Sequence, residues 1–82
     1  MILAVKDLHF GVSRPQGWWD GHPEYEEGYQ LLKKSIQEEG IKDPLFVVKQ
    51  KDNWYVEIGN QRLRACLELG IPKVYCEEIR GF

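Results

Sequence analysis

Apolar and polar positions divide the chain into a few short periodic blocks. Residues 2–8, Ile-Leu-Ala-Val-Lys-Asp-Leu, mix the two in a pattern that suits a short strand. Over residues 26–39 the spacing changes. Tyr29, Leu32 and Ile36 recur at helical intervals on one stripe, with charged and amide side chains between them. Gly40 stands where such a helix stops, and Pro44 keeps it from resuming. Residues 45–50, Leu-Phe-Val-Val-Lys-Gln, are β-branched and aromatic, the composition of a strand. Residues 51–53 turn the chain, and residues 54–58, Trp-Tyr-Val-Glu-Ile, alternate like the returning arm of a hairpin. A second helix is expected over residues 60–69, closed by Gly70 and Pro72. Residues 73–79 form a last strand in which Val74, Cys76 and Ile79 meet the core.

Residues 9–25 separate the first strand from the first helix. Three glycines and two prolines fall within residues 11–25, a density that marks a long loop. The order β-loop-α-β-β-α-β implies an α+β fold, a small mixed sheet with two helices packed against it. With 82 residues there is room for one domain, 1–82, and one core.

Composition narrows the function classes. A hydrophobic fraction of 43% and a charged fraction of 29% are those of a globular chain. No apolar run approaches the roughly 20 residues of a membrane span. The opening Met-Ile-Leu-Ala-Val-Lys-Asp lacks a basic n-region and a cleavage site, so a cytoplasmic protein is expected. The net charge of −2 gives no bulk attraction to nucleic acid, and Lys33, Lys34, Lys49 and Lys51 make no continuous basic stripe. Cys66 and Cys76 belong to no Cys-x-x-Cys pair and read as reduced, buried thiols. With His9 and His22 they are too few and too scattered for zinc, so no metal site is expected.

The candidate chemistry lies at the junction Gly59-Asn60-Gln61-Arg62. A helix start leaves backbone N–H groups without acceptors and carries partial positive charge. Gly59 permits a sharp turn and close approach to the main chain. Asn60 suits an N-cap and Gln61 adds a donor. Arg62 and Arg64 add permanent charge and paired donors that match phosphate oxygens. The same residues also serve as ordinary capping with a solvated arginine face, and the residues alone leave both readings open.

The ordered set Ser35-Ile36, Gly40-Ile41-Lys42-Asp43-Pro44-Leu45, Gly59-Asn60-Gln61-Arg62, Arg64-Ala65 and Gly70 resembles the N-terminal domain shared by ParB-type partition proteins and sulfiredoxin. The resemblance covers about residues 28–79, and residues 2–8 with Arg14-Pro15 fit the family's first strand and following loop. It implies a ParB/sulfiredoxin-like fold and a nucleotide, CTP or ATP, with or without Mg²⁺. By that likeness Gly59, Asn60, Gln61, Arg62, Arg64 and Ser35 hold phosphates, and Gly40, Ile41 and Pro44 border the base. Asn60 and Gln61 stand where partition proteins carry Glu-Arg and where sulfiredoxin carries its reactive cysteine. Sulfiredoxin activity is therefore not expected. Weak nucleoside triphosphatase, kinase or nuclease activity is left open with no complete residue set. The chain has no length for a helix-turn-helix, so DNA binding stays undecided. A stand-alone domain of this kind is what a phage or mobile element encodes.

Two further groups carry alternatives. Trp18 and Trp19, with His22 and Tyr25, form either a lid that stacks on a base, a plug for the core, or a docking surface for a protein partner. The last leads to a competing function, a non-enzymatic adaptor for protein or nucleic acid, or a homodimer. Glu24, Glu26 and Glu27 either favour the first helix start electrostatically, or one of them supplies a ligand for Mg²⁺ or a base toward a phosphoryl acceptor.

Overall fold

The computed structural model describes residues 1–11 and 17–80, the side chains of Trp19 and Asp20 excepted. The strands are β1 (Ile2–Ala4), β2 (Leu8–Phe10), β3 (Leu45–Gln50), β4 (Asn53–Ile58) and β5 (Lys73–Glu78). The helices are α1 (Glu26–Glu39) and α2 (Asn60–Leu69). All five strands join one mixed sheet in the order β1-β5-β3-β4-β2. The β1–β5 and β3–β4 pairs are antiparallel, while β5–β3 and β4–β2 are parallel.

The single strand expected over residues 2–8 is corrected to two short ones. Val5–Asp7 form a 3₁₀ turn, and the Val5 N–H bonds the Pro72 carbonyl one step beyond the Ala4–Lys73 pair, where the strand ends. His9 and Phe10, expected in the loop, belong to β2, and Trp18–Gly21 and Pro23–Tyr25 are wound into 3₁₀ turns. The break has a large consequence, because β1 and β2 are neighbours in sequence and opposite edges of the sheet. The four steps from Ala4 to Leu8 reach at most about 14 Å. Four interstrand gaps in a flat sheet would span about 19 Å. The sheet must therefore curl, and its concave side encloses the core.

That core holds Val5, Leu8, Leu45, Val47, Val56, Val74 and Cys76, all buried, with Leu63 and Cys66 inserted from α2. The helix α2 thus seats directly on the curled sheet. On its other side Ala65 meets Tyr29 and Ile36 of α1 in a second cluster, completed by Leu32, Ile41, Leu69 and Ile71. The layers run sheet, α2, α1. Between β3 and β4, Lys51 and Asp52 both take positive φ, the backbone of the two-residue hairpin that matches strand twist.

A polar network reinforces the α1–α2 contact. The Arg64 guanidinium lies 3.7 Å from the centre of the Tyr29 ring. It donates to both Glu26 oxygens at 2.9 and 3.0 Å and to Glu68 at 3.2 Å. The Tyr29 hydroxyl (2.6 Å) and Lys33 (3.0 Å) also donate to Glu68. The bonds from Arg64 and Gln30 hold the Glu26 carboxyl below its usual range. Burial opposes the charge on Glu68, but its three hydrogen bonds outweigh that and lower it as well. Carboxyls depressed in the folded state stabilise it above the unfolded carboxylate range, near pH 4.3, and that stability is lost as pH falls through their folded values. Urea unfolding should accordingly show a midpoint that drops below about pH 5. Arg64→Met should lower the midpoint at pH 7 and flatten the acid decline. An acid decline of the same steepness in the variant would remove the network from this role.

Candidate functional site

At the end of β4 the chain makes one abrupt turn and becomes α2. Gly59 makes it with φ +106°, a left-handed conformation that L side chains rarely adopt. A Cβ there would also stand 3.0 Å from Leu45 Cγ and 3.2 Å from Arg62 Nη2. The Gly59 carbonyl accepts the first helical bond, from the Leu63 N–H at 2.9 Å. The N–H groups of Asn60, Gln61 and Arg62 precede that bond and have no acceptor among the described residues.

Asn60 is not the N-cap expected of it; Gly59 is. The Asn60 side chain turns inward, 4% exposed. Its Oδ1 accepts the Gly11 N–H at 2.9 Å, and its Nδ2 donates to the Val56 carbonyl at 3.0 Å. Gly11 has to be a glycine here, since a Cβ would lie 2.1 Å from the Val56 oxygen. The carboxamide therefore serves the fold, and Asn60 is a buried member of the lining at the helix start.

Arg62 folds back over this turn. Its Nη1 donates to the carbonyls of Asp43 (2.8 Å) and Pro44 (2.9 Å), binding the helix-to-strand step to the α2 start. A guanidinium carries five N–H groups, and those on Nη2 and Nε have no partner among the described residues. Beside them opens a hollow of about 490 Å³, lined by residues 59–62 with Glu57, Ile58 and Leu32. That volume lies within the usual range of ligand pockets.

The remaining candidates scatter. Arg64 is corrected from phosphate contact to structural partner, since it faces α1 and is bound to two carboxylates and an aromatic ring. The signal for this lay in the spacing, because residues two apart on a helix do not share a face. Ser35 is exposed on α1, with one long contact (3.4 Å) to Glu39, and does not line the hollow. Gly40, Ile41 and Pro44 line a different hollow of about 460 Å³ with Ile71 and Tyr75. Arg62 joins the two, as it lines the first and bonds the carbonyls of Asp43 and Pro44, residues that line the second. Trp18 stacks flat on His22, with ring centroids 3.5 Å apart and planes 10° apart, and Tyr25 closes in at 5.1 Å. His22 Nδ1 donates to the Trp18 carbonyl at 2.7 Å. One face of the proposed lid is thus covered from within. The Trp19 side chain, like Arg14 and Pro15, lies outside the described residues.

Other groups are accounted for by packing. Cys66 and Cys76 are buried, and burial pushes the Cys66 thiol up to about 11, which keeps it protonated near neutrality. Of the three glutamates at the first helix start, Glu26 is tied to Arg64. Sequence reasoning missed Glu57, whose place at the hollow depends on strand register, and the carbonyls of Asp43 and Pro44, which reach Arg62 only through the tertiary fold.

The ParB N-terminal domain family model matches residues 4–80. No curated protein matches the chain. Among solved structures, sulfiredoxin from Arabidopsis thaliana is similar with a TM-score of 0.72 and 22% identity, over 99% of this chain and 86% of that one. The C-terminally truncated chromosome-partitioning protein ParB from Caulobacter crescentus, complexed with CTP-γ-S, is similar with a TM-score of 0.78 and 21% identity. A Pnob8-like ParB-N domain follows at 0.68 and 17%. The chain spans only 44% and 27% of those two ParB-type chains. At such identities the likeness establishes the fold, an α+β domain of the ParB/sulfiredoxin type. Among the described residues no helix is long and apolar enough to cross a membrane.

Asn60→Ala should cost about 1–3 kcal/mol, because it strands the buried Gly11 N–H and a Val56 lone pair, and the urea midpoint should fall with it. An unchanged midpoint would show that the bridge adds nothing. Cys66 should resist iodoacetamide in the folded protein at pH 7.5 and react fully in urea, as read by mass spectrometry. Fast alkylation of the native chain would contradict its packed, protonated state.

Proposed function

This chain belongs to the ParB N-terminal domain family, and we propose that it binds a nucleotide, with the phosphates seated at the start of α2. The observation that carries this reading is the double use of Arg62. Nη1 is fixed on two backbone carbonyls, while Nη2 stays over Gly59 beside three backbone N–H groups with no acceptor among the described residues. A pre-oriented guanidinium edge loses little freedom on meeting an anion. Together with the helix start it offers several donors to one set of phosphate oxygens.

The proposed phosphate set is Gly59, Arg62 and the backbone of Asn60 and Gln61. Arg64 and Ser35 are left out of it, the first engaged by carboxylates and the second away from the hollow. The sugar and base would extend along the 40–44 step, which Arg62 ties to the helix start. CTP and ATP are the first ligands to test, CTP because the Caulobacter ParB is complexed with CTP-γ-S. The site reads as a holder of phosphates, since the Asn60 carboxamide is withdrawn into the fold and Cys66 lies in the core.

Isothermal titration of CTP and ATP tests this directly. Arg62→Ala removes a charge-assisted donor and should weaken binding roughly 10- to 150-fold, the equivalent of about 1.5–3 kcal/mol. Arg62→Lys keeps the charge without the fork and should fall between. An affinity untouched by Arg62→Ala would move the ligand elsewhere. No binding of either nucleotide at millimolar concentration would leave the adaptor reading, with the Trp18 stack as the surface to probe.

A further inference from the structure

The strand β1 lies at one edge of the sheet, and hydrogen-bond parity decides which of its backbone groups face outward. Its antiparallel register with β5 sets Ile2 against Tyr75, Leu3 against Val74 and Ala4 against Lys73. One step earlier, Met1 and Cys76 exchange both backbone bonds, at 2.7 and 2.9 Å. One step later, the Val5 N–H bonds the Pro72 carbonyl at 2.9 Å. Antiparallel pairs alternate between bonded and non-bonded positions, so Leu3 bonds Val74 while Ile2 does not bond Tyr75. The N–H and C=O of Ile2 therefore point away from β5 to the open edge, without a partner among the described residues.

The side chains around this edge are apolar and uncovered. Among the described residues seven large apolar side chains are exposed, and four of them gather here: Met1, Ile2, Leu67 and Tyr75. Ile2 is 67% exposed. Tyr75 stands across the ladder from it on the outer face of the sheet. On the α2 side, Leu67 lines a hollow of about 470 Å³ together with Ala4 and Val5. Edges that stay single are blunted by charge, proline, a bulge or shortness. Residues 1–4 carry neither charge nor proline. The β1–β5 register runs without a shift, unlike β3–β4, where the step from Val47–Val56 to Phe46–Ile58 marks a bulge. Only the strand's length of three residues protects it.

We propose that β1 pairs with β1 of a second copy of this chain, antiparallel about a two-fold axis at Ile2. Each Ile2 N–H then donates to the Ile2 carbonyl of the other copy, the reciprocity that an isologous contact demands. The two Ile2 side chains stand directly opposite on the outer face, with Cα atoms about 5.5 Å apart, each backed by its own Tyr75. A charged residue at this position would oppose its own like charge. A second copy instead brings apolar against apolar, Tyr75 and Ile2 of one against Ile2 and Tyr75 of the other. The residues of this edge share none with the hollow at the α2 start, so the pairing does not rest on the nucleotide reading and leaves that hollow open in both copies.

Sedimentation of the native chain from about 20 µM to about 2 mM tests this, since a contact below the roughly 1,200 Å² of stable interfaces associates weakly. The average mass should climb from one copy toward two. Ile2→Lys should remain single throughout, whereas Leu31→Lys, a change at a position 68% exposed on α1, should associate as the native chain does. Ile2→Cys reads the register itself, even if Ile2→Lys lowers the urea midpoint. Mild oxidation should link it into a disulfide pair, because the expected Cα separation suits that bond. Leu31→Cys should link far more slowly, and Cys66 and Cys76 are buried and do not compete. A native chain that stays single at the highest concentration overturns the proposal. So does association of Ile2→Lys at the native level, or equal linking of the two cysteine variants.

Discussion

The Asn60 carboxamide, with its oxygen on the Gly11 N–H and its nitrogen on the Val56 carbonyl, fixes three elements at one buried point. It joins the residue after β2 to the body of β4 and to the first residue of α2. The sheet is curled because three residues link its two edges, and this bridge lies where the β2 edge runs out. A buried polar group of this kind is favourable only when both ends are satisfied. Gly11 allows that by lacking a Cβ that would overlap the Val56 oxygen. The direction of α2, and with it the outward face of its first N–H groups, follows from this contact.

Two arginines two residues apart divide the remaining work. Arg64 turns toward α1 and is consumed by Glu26, Glu68 and the face of Tyr29. Arg62 turns toward the β3 side, is half satisfied by backbone carbonyls, and keeps donors over the hollow. Helical geometry enforces the split, since a step of two residues carries a side chain past the far edge of the helix. One arginine therefore holds α1 against α2 while the other gives the start of α2 a charged, pre-oriented surface.

Much of this was legible in the residues. The bounds 26–39, 45–50 and 60–69 agree with the structure because periodicity, Gly40, Pro44 and Gly70 are local signals. The split of residues 2–8 is not legible there, because it hangs on two strands taking opposite edges of the sheet. The inward turn of Asn60 was hidden for the same reason. Gly-Asn before a helix reads as capping until Gly11 comes alongside from across the chain. The exposure of Ile58 escaped because a bulge is a property of a strand pair, and neither strand shows it alone.

The most direct measurement is a ¹H–¹⁵N correlation spectrum of the labelled chain during CTP addition. Phosphates seated at the α2 start should shift the amides of Asn60, Gln61 and Arg62 most, together with the Arg62 Nε–H. Leu63, already bonded to the Gly59 carbonyl, should move less. Shifts confined to the Gly40–Pro44 and Tyr75 hollow, or to the Trp18 turn, with the 60–62 amides unmoved, would contradict a phosphate seat at that helix start.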